Sequence, residues 1–233
     1  MTSIVIFAAG RGSRLGASVP KFVVEVESRP IFVHQLEALR DVQGEVYIVC
    51  GYRASLLVQL MLADLPEGDA LRSRLTFVFN DRYREPQRES IRRALSVIPQ
   101  NRPALFIDGD MIFGRDTVMQ LARSSVTTLV LRKVPSADGV MAQLSPQGTL
   151  VQFVRGGIGE GEWGNLVLYH PSELAALASE AANPRYQHHF DLLNSLATQG
   201  HAIHTTFAQL AEVDDISDLV TAAGFIKEAP CAE

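Results

Sequence analysis

The chain is poor in the features that usually place a protein early. Two of its 233 residues are cysteines, Cys50 in an apolar run and Cys231 in the tail, so no disulfide framework is implied. No Cys/His cluster points to zinc. His188 and His189 are adjacent and would point apart on a helix, and His34, His170, His201 and His204 are scattered and read as core or surface residues. Positive charge is not in excess. A net charge of −5 lacks the basic footprint of a nucleic-acid-binding domain, so any polyanionic ligand must meet a local concentration of cations. No apolar stretch approaches the length that crosses a bilayer. The apolar run from Ile4 to Ala9 is short and follows no basic region, so it reads as a strand and not a signal peptide. A cytoplasmic protein without membrane insertion is expected. Hydrophobic residues make up 47% and charged residues 20%, as in soluble globular proteins. No repeat, linker or low-complexity segment divides the chain, and one domain over residues 1–233 is expected.

What is present is concentrated at the start. The run Ile4-Val5-Ile6-Phe7-Ala8-Ala9 feeds directly into Gly10-Arg11-Gly12-Ser13-Arg14-Leu15-Gly16, and Pro20-Lys21 follows. A buried strand ending in glycines that adopt φ > 0 lets bare backbone approach a ligand, and successive N–H groups of such a loop form an anion-binding concavity. Arg14 and Lys21 add fixed positive charge of the kind that stabilises a transferring phosphoryl group. The glycine spacing misses the dinucleotide fingerprint by one residue, and no Gly-Lys-Ser/Thr completes a P-loop.

The first half alternates strand and helix patterns. Strands are expected at Glu45–Gly51, Thr76–Asn80 and Ala104–Asp108, and helices at Pro30–Leu39, Ser55–Leu65 and Glu89–Ile98. Near-continuous apolar strands separated by helices imply a parallel sheet covered on both faces, with ligands outside the carboxyl ends of its strands. The opening loop and Asp108-Gly109-Asp110 would both sit there. From Val126 the pattern changes. A strand is expected over Thr127–Val134 and a hairpin over Val140–Val154, turning at Ser145-Pro146-Gln147-Gly148. A glycine-rich loop (156–162), a strand (165–169), helices at Pro171–Ala182 and His189–Thr198, a strand at His201–Phe207 and a closing helix at Ile216–Lys227 complete the reading. The projecting hairpin is of the sort that pairs with a second subunit, and a homodimer is a further expectation.

Strand periodicity sends Asp108 and Asp110 to one side. Far along the chain stands Glu212-Val213-Asp214-Asp215, in which Asp215 or Ser217 suits a helix N-cap. Triphosphates travel with Mg²⁺, which takes one or two carboxylates together with phosphates and waters. One Asp from 108–110 and one acid from 212–215 would meet that need if the fold joins them.

These pieces, with Ser90 and Asp218-Leu219, stand in the order of the nucleotidyltransferase superfamily, and the chain resembles its cytidylyltransferase branch, the CTP:phosphocholine and related phosphonate cytidylyltransferases. Asn80-Asp81-Arg82-Tyr83-Arg84-Glu85, Ser90-Ile91 and Ile107-Asp108-Gly109-Asp110-Met111 carry that likeness, as does the short interval from Arg14 to Lys21. The resemblance implies an α/β fold of the nucleotide-diphospho-sugar transferase type: a Rossmann-like, mostly parallel central sheet with helices on both faces and a small antiparallel hairpin insertion. It implies a nucleotide-binding half (1–125) and an acceptor-binding half (126–233). Arg14 and Lys21 would be catalytic. Ala8, Ala9, Gly10, Gly12, Ser13, Arg14, Lys21, Ser90 and Asp108 would bind CTP, and Asp110 and Asp214 would hold Mg²⁺. The expected reaction joins CMP to a small phosphate or phosphonate acceptor, phosphocholine-like or aminoalkylphosphonate-like. A sugar-1-phosphate nucleotidyltransferase using another NTP and a non-catalytic nucleotide-binding domain are the alternatives. Paired asparagines common in the branch are replaced here by Pro86-Gln87-Arg88-Glu89, where Arg88 is a substitute polar contact. On the acceptor side, Trp163 beside Glu160 and Glu162 on the glycine-rich loop, with Tyr169 and Tyr186, suits a cationic group; Arg132, Lys133 and Arg155 suit an anionic one.

Overall fold

A computed structural model describes residues 1–16, 18–133, 136 and 139–228; Val134 and Cys231 lie outside them. The chain opens with β1 (Ser3–Ala8), whose six residues are all buried. A small hairpin of β2 (Glu25–Val26) and β3 (Arg29–Pro30) leads into α1 (Ile31–Ala38). The alternation continues through β4 (Val46–Cys50), α2 (Ala54–Asp64), β5 (Leu75–Phe79), α3 (Gln87–Leu95) and β6 (Ala104–Asp108). Next come β7 (Met111–Phe113), α4 (Arg115–Ala122), β8 (Thr128–Arg132), β9 (Val140–Leu144), β10 (Leu150–Arg155) and β11 (Gly161–Tyr169). The chain closes with α5 (Pro171–Ala181), α6 (His189–Thr198), β12 (His204–Phe207), β13 (Leu210–Glu212) and α7 (Ile216–Glu228).

The expected parallel core is present. β6, β1, β4 and β5 lie side by side and parallel; β6, β1 and β4 are buried apolar runs that need no polar face, whereas β5, at the sheet edge, buries only Val78. Side chains alternate across the sheet. Ile4, Ile6 and Ala8 enter one core layer with α1, α2, α4 and α7; Val5 and Phe7 enter the other with α3, α5 and α6. Beyond β6 the second half adds β11, antiparallel to β6, with β8 and β9 both paired to β11 and β10 outermost against β9. β12 runs parallel to β8.

Three features differ from the sequence reading. Gly161 and Glu162 belong to β11 and not to a loop, so Trp163 is a strand residue. The short helix α4 was not anticipated, because only Val118 and Leu121 of its eight residues are buried. The pairing of β7 with β13 was not anticipated either, and it builds half of the site.

Candidate active site

β1 and β6 end level, with Phe7 opposite Asp108 in register and the Gly109 N–H donating to the Phe7 carbonyl at 3.0 Å. The two chemistry-bearing turns therefore leave the sheet side by side. In the first turn Ala8 and Ala9 are still buried, whereas Gly10, Ser13 and Arg14 are exposed. Gly12 has φ +64, and a Cβ there would lie 2.9 Å from Lys21 Cβ. Only glycine allows this fold-back, which presses the loop onto Lys21 and brings its ammonium to the same place as Arg14.

The second turn is held from behind. Gln35 Nε2, on α1, donates to the carbonyls of Asp108 (2.9 Å) and Met111 (2.7 Å). β13 pairs antiparallel with β7, placing Glu212 opposite Met111, and the Val213 N–H donates to the Asp110 carbonyl at 2.9 Å. This long-range pairing carries Glu212 and Asp214 to Asp110. Asp218 Oδ2 accepts the N–H groups of Asp214 and Asp215, at 2.7 and 2.9 Å. Asp215 caps α7, its Oδ1 accepting from the Ser217 and Asp218 N–H groups.

The result is a carboxylate trio, Asp110, Glu212 and Asp214, with one oxygen of each within 4.8 Å of the others. Lys21 Nζ donates to Asp110 Oδ2 at 2.8 Å and to Asp214 Oδ1 at 2.5 Å, and Arg14 Nη2 donates to Asp214 Oδ2 at 2.8 Å. Asp110 Oδ1 is buried with no hydrogen-bond partner. An oxygen-only donor set with an orphaned buried carboxylate oxygen fits a hard divalent cation such as Mg²⁺. Burial works to lower the Lys21 pKa, but the charges and hydrogen bonds of Asp110 and Asp214 outweigh it and hold Lys21 above its ordinary value.

Burial, followed by the charges of Asp110 and Asp214, pushes Glu212 up to about 7. Burial beside Asp110 and Glu212 likewise raises Asp108 well above the carboxylate range. A carboxyl whose folded pKa exceeds its unfolded value costs stability as pH rises between the two. For Glu212 that window runs from about 4.5 to about 7. Melting of the metal-free protein across this range is expected to show the loss, and Glu212→Gln to flatten it.

Beside the trio lies a cavity of about 510 Å³, to which Arg14, Asp214, Arg132, Glu162 and Trp163 contribute. Arg132 is already committed: its guanidinium pairs with Glu162 at 2.7 Å and with Glu212 at 3.2 Å. Glu162 is also held by the N–H and hydroxyl of Ser136. Neither residue is a free charge for an acceptor. Trp163 is 5% exposed and packs in T-shaped contacts with Phe153 and His189, so it is mostly core and gives the cavity little surface.

Tyr169 is not at the cavity. It is 0% exposed, its hydroxyl 2.8 Å from His189 Nε2, and burial holds that imidazole down at about 3, hence neutral. Tyr169→Phe is expected to cost about 1–3 kcal/mol by leaving a buried ring nitrogen unpaired, and to leave acceptor KM unchanged; denaturant melts with steady-state kinetics check both. Arg88 is likewise structural, buried and donating to the Ala181 carbonyl at 3.0 Å. Ser90 is buried, its hydroxyl accepting from Asn80 Nδ2 at 3.0 Å.

Two further residues line the cavity: Gln87, to which the sequence reading gives no role, and Arg155, expected on the anionic-acceptor side. Gln87 Nε2 donates to both oxygens of Asp108, and its Oε1 accepts the His189 N–H at 3.0 Å, tying α3, β6 and α6 together at the site. Arg155 lies over the Phe190 ring, 5.4 Å to the centroid, and has no carboxylate partner among the described residues.

Residues 4–199 match the MobA-like NTP transferase domain. The chain belongs to that family. It is a nucleotidyltransferase, and its mixed sheet is the nucleotidyltransferase fold. Over 62 residues this MobA-like chain is 36% identical to the Bifunctional protein GlmU of Pseudomonas aeruginosa, a match covering 26% of this chain and 14% of that protein's length. Solved structures are similar over nearly the whole chain. A Bacillus anthracis protein assigned as a glucose-1-phosphate thymidylyltransferase superposes with a TM-score of 0.80 at 14% identity, covering 100% of this chain and 98% of that one. The CTP:phosphocholine cytidylyltransferase LicC of Streptococcus pneumoniae superposes with a TM-score of 0.75 at 14% identity, covering 97% and 100%. At such identities the likeness is one of fold. Glu212 and Asp214 lie beyond the matched span, so their place in the MobA-like site rests on the β7–β13 pairing. No described helix is long and apolar enough to cross a membrane.

Proposed function

We propose that this MobA-like nucleotidyltransferase moves CMP from CTP onto a small phosphate- or phosphonate-bearing acceptor and releases pyrophosphate. One observation carries the reading: Lys21 and Arg14 meet Asp110, Glu212 and Asp214 beside a cavity large enough for a small molecule. Residues 1–125 supply the nucleotide half and residues 126–233 the acceptor half. The backbone of Ala8 to Ser13 borders the nucleotide, and Arg14 and Lys21 meet its phosphates. Asp110, Glu212 and Asp214 would hold Mg²⁺, which when bound supplies charge neutralisation on the α-phosphate and the leaving pyrophosphate. An acceptor oxygen attacks the α-phosphorus in line; that O–P bond forms as the bond to the β-phosphate oxygen breaks, and the electron pair leaves with pyrophosphate. The acceptor phosphate is already ionised at neutral pH, so no general base is required, and positioning with electrostatics does most of the work.

Arg155 is the group best suited to anchor the acceptor phosphate, because Arg132 and Arg14 are neutralised by carboxylates and Arg155 pairs with none among the described residues. Arg155→Ala is expected to raise acceptor KM about tenfold or more, with a smaller change in the KM for CTP, as loss of a charge-assisted contact would do. Of the aromatic rings lining the cavity, Phe190 lies under the Arg155 guanidinium and is stacked with His188, ring centroids 5.0 Å apart, and Trp163 is buried. These occupied rings suit a quaternary ammonium cage poorly, and primary-amine or hydroxylated acceptors suit the cavity at least as well as phosphocholine.

The choice of CTP rests on the short Arg14-to-Lys21 interval and the segment from Asn80 to Ser90. The fold shared with a protein assigned to thymidylyl transfer favours a second reading, a sugar-1-phosphate acceptor with another NTP. Pyrophosphate release from CTP, UTP, dTTP, GTP and ATP, each with aminoethylphosphonate, choline phosphate, polyol phosphates and glucose 1-phosphate, separates the two. CTP preference supports the first reading; preference for another nucleotide with a sugar phosphate replaces it with the second.

A further inference from the structure

The Lys21 side chain does not reach out towards solvent. Its ammonium is drawn back among the acids, 2.8 Å from Asp110 and 2.5 Å from Asp214, and its side chain is 11% exposed. Those are two of the three carboxylates whose oxygens converge within 4.8 Å. The backbone beneath it is fixed: Pro20 precedes it, Phe22 is buried, and Gly12 packs on its Cβ. Only the four-carbon stem is left to move, and a lysine stem is long and flexible.

A divalent cation bound to Asp110 and Asp214 would use the oxygens that Lys21 now occupies. Both cannot keep them, because two cations sharing one pair of carboxylates in a half-buried site repel strongly. The acids cannot stand bare either, since three carboxylates at this spacing raise one another's energy without a cation between them. We propose that Lys21 is a resident counter-ion for the metal seat. It holds Asp110 and Asp214 in place in the free protein and competes with the divalent ion, and it is released when a triphosphate supplies a new anionic partner for its ammonium. Metal and nucleotide then bind with positive coupling, each tightening the other by the same factor. The inference rests on reading the trio as the metal seat of the proposed transferase.

Mn²⁺ titration of the purified full chain, followed by the electron paramagnetic resonance of the free ion, tests this without turnover. The natural protein, Lys21→Met and Lys21→Arg are compared without nucleotide and then with α,β-methylene-CTP. Lys21→Met is expected to bind Mn²⁺ alone at least about tenfold more tightly than the natural protein, because the competing charge is gone. Lys21→Arg, which keeps the charge, should stay within about threefold. The analogue should tighten Mn²⁺ on the natural protein far more than on Lys21→Met. Equal or weaker Mn²⁺ binding by a Lys21→Met protein that melts cooperatively would overturn the inference, as would equal tightening in both variants. If Lys21→Met does not fold, Lys21→Gln takes its place with the same expectations. A protein that shows this pattern but turns over no nucleotide loses the transferase reading alone; one that turns over nucleotide without the pattern loses the counter-ion role alone.

Discussion

Lys21→Ala is expected to lower kcat/KM for pyrophosphate release by about 10²- to 10³-fold, the usual loss when one preorganised charge stabiliser is removed from a transition state. The geometry makes Lys21 hard to replace. Arg14 is 66% exposed at its side chain and bound to the outer oxygen of Asp214, whereas Lys21 is the buried cation joining both aspartates. Developing charge on the leaving pyrophosphate would be met by Lys21 in a site with little water, and by Arg14 in a site with much. Arg14→Ala should therefore cost less than Lys21→Ala. Initial rates over a range of CTP concentrations at saturating acceptor, set against melting curves of the same preparations, separate a catalytic loss from a folding defect. Undiminished turnover in folded Lys21→Ala would remove Lys21 from the chemistry.

Asp110→Asn should be more damaging still, at least about 10³-fold, since losing a metal ligand forfeits several kcal/mol of charge stabilisation. Its effect on stability should have the opposite sign. Asp110 stands against Glu212 and Asp214 with one oxygen buried and unpartnered, and it contributes to the raised pKa values of Glu212 and Asp108. Removing that charge gives up the pair with Lys21, which keeps Asp214 as its partner, but it also relieves like-charge repulsion, so the metal-free variant should melt no lower than the natural protein, as is common where a site is kept at a cost to stability. An inactive Asp110→Asn that also melts well below the natural protein would point to a structural role for the aspartate.

The parts of this site that could be read in the sequence are those whose signal is local. The apolar run of β1, its glycine turn and the Asp108-Gly109-Asp110 strand end declare themselves within a few residues. Their meeting with Asp214 does not: Lys21 contacts partners 89 and 193 positions away, and only the pairing of two three-residue strands, β7 and β13, joins them. Strands so short carry no periodicity, which is why Glu212 stood in the sequence as one acid among several. Gln35 and Gln87 gave no signal, because an amide that braces a turn looks like any polar helix residue.

The acceptor side misled for a different reason. Glycines around Trp163 suggested a loop, yet a Cβ at Gly164 would lie 2.7 Å from the Val130 carbonyl; this glycine serves close strand packing inside β11. Tyr169 has a polar tip that suits a ligand site equally well on paper, but in the fold that tip is satisfied by His189. Arg155 stands in the sequence beside Arg132 and Lys133 as a candidate for an anionic acceptor; only the pairing of Arg132 and Arg14 with acids distinguishes it, as a cavity arginine with no carboxylate partner among the described residues.

The central claim is that cations following β1 and acids from the β6–β7 turn and the end of β13 form one nucleotidyl-transfer site. Phosphorus NMR of the purified chain with CTP, Mg²⁺ and a panel of small phosphates and phosphonates tests it most directly. The account predicts that with at least one acceptor the triphosphate signals give way to free pyrophosphate and a new phosphoanhydride pair, and that neither appears with Asp110→Asn. CTP bound by the protein yet unchanged with every acceptor, under conditions in which Mg²⁺ is also bound, would contradict it and leave a nucleotide-binding domain without transfer chemistry.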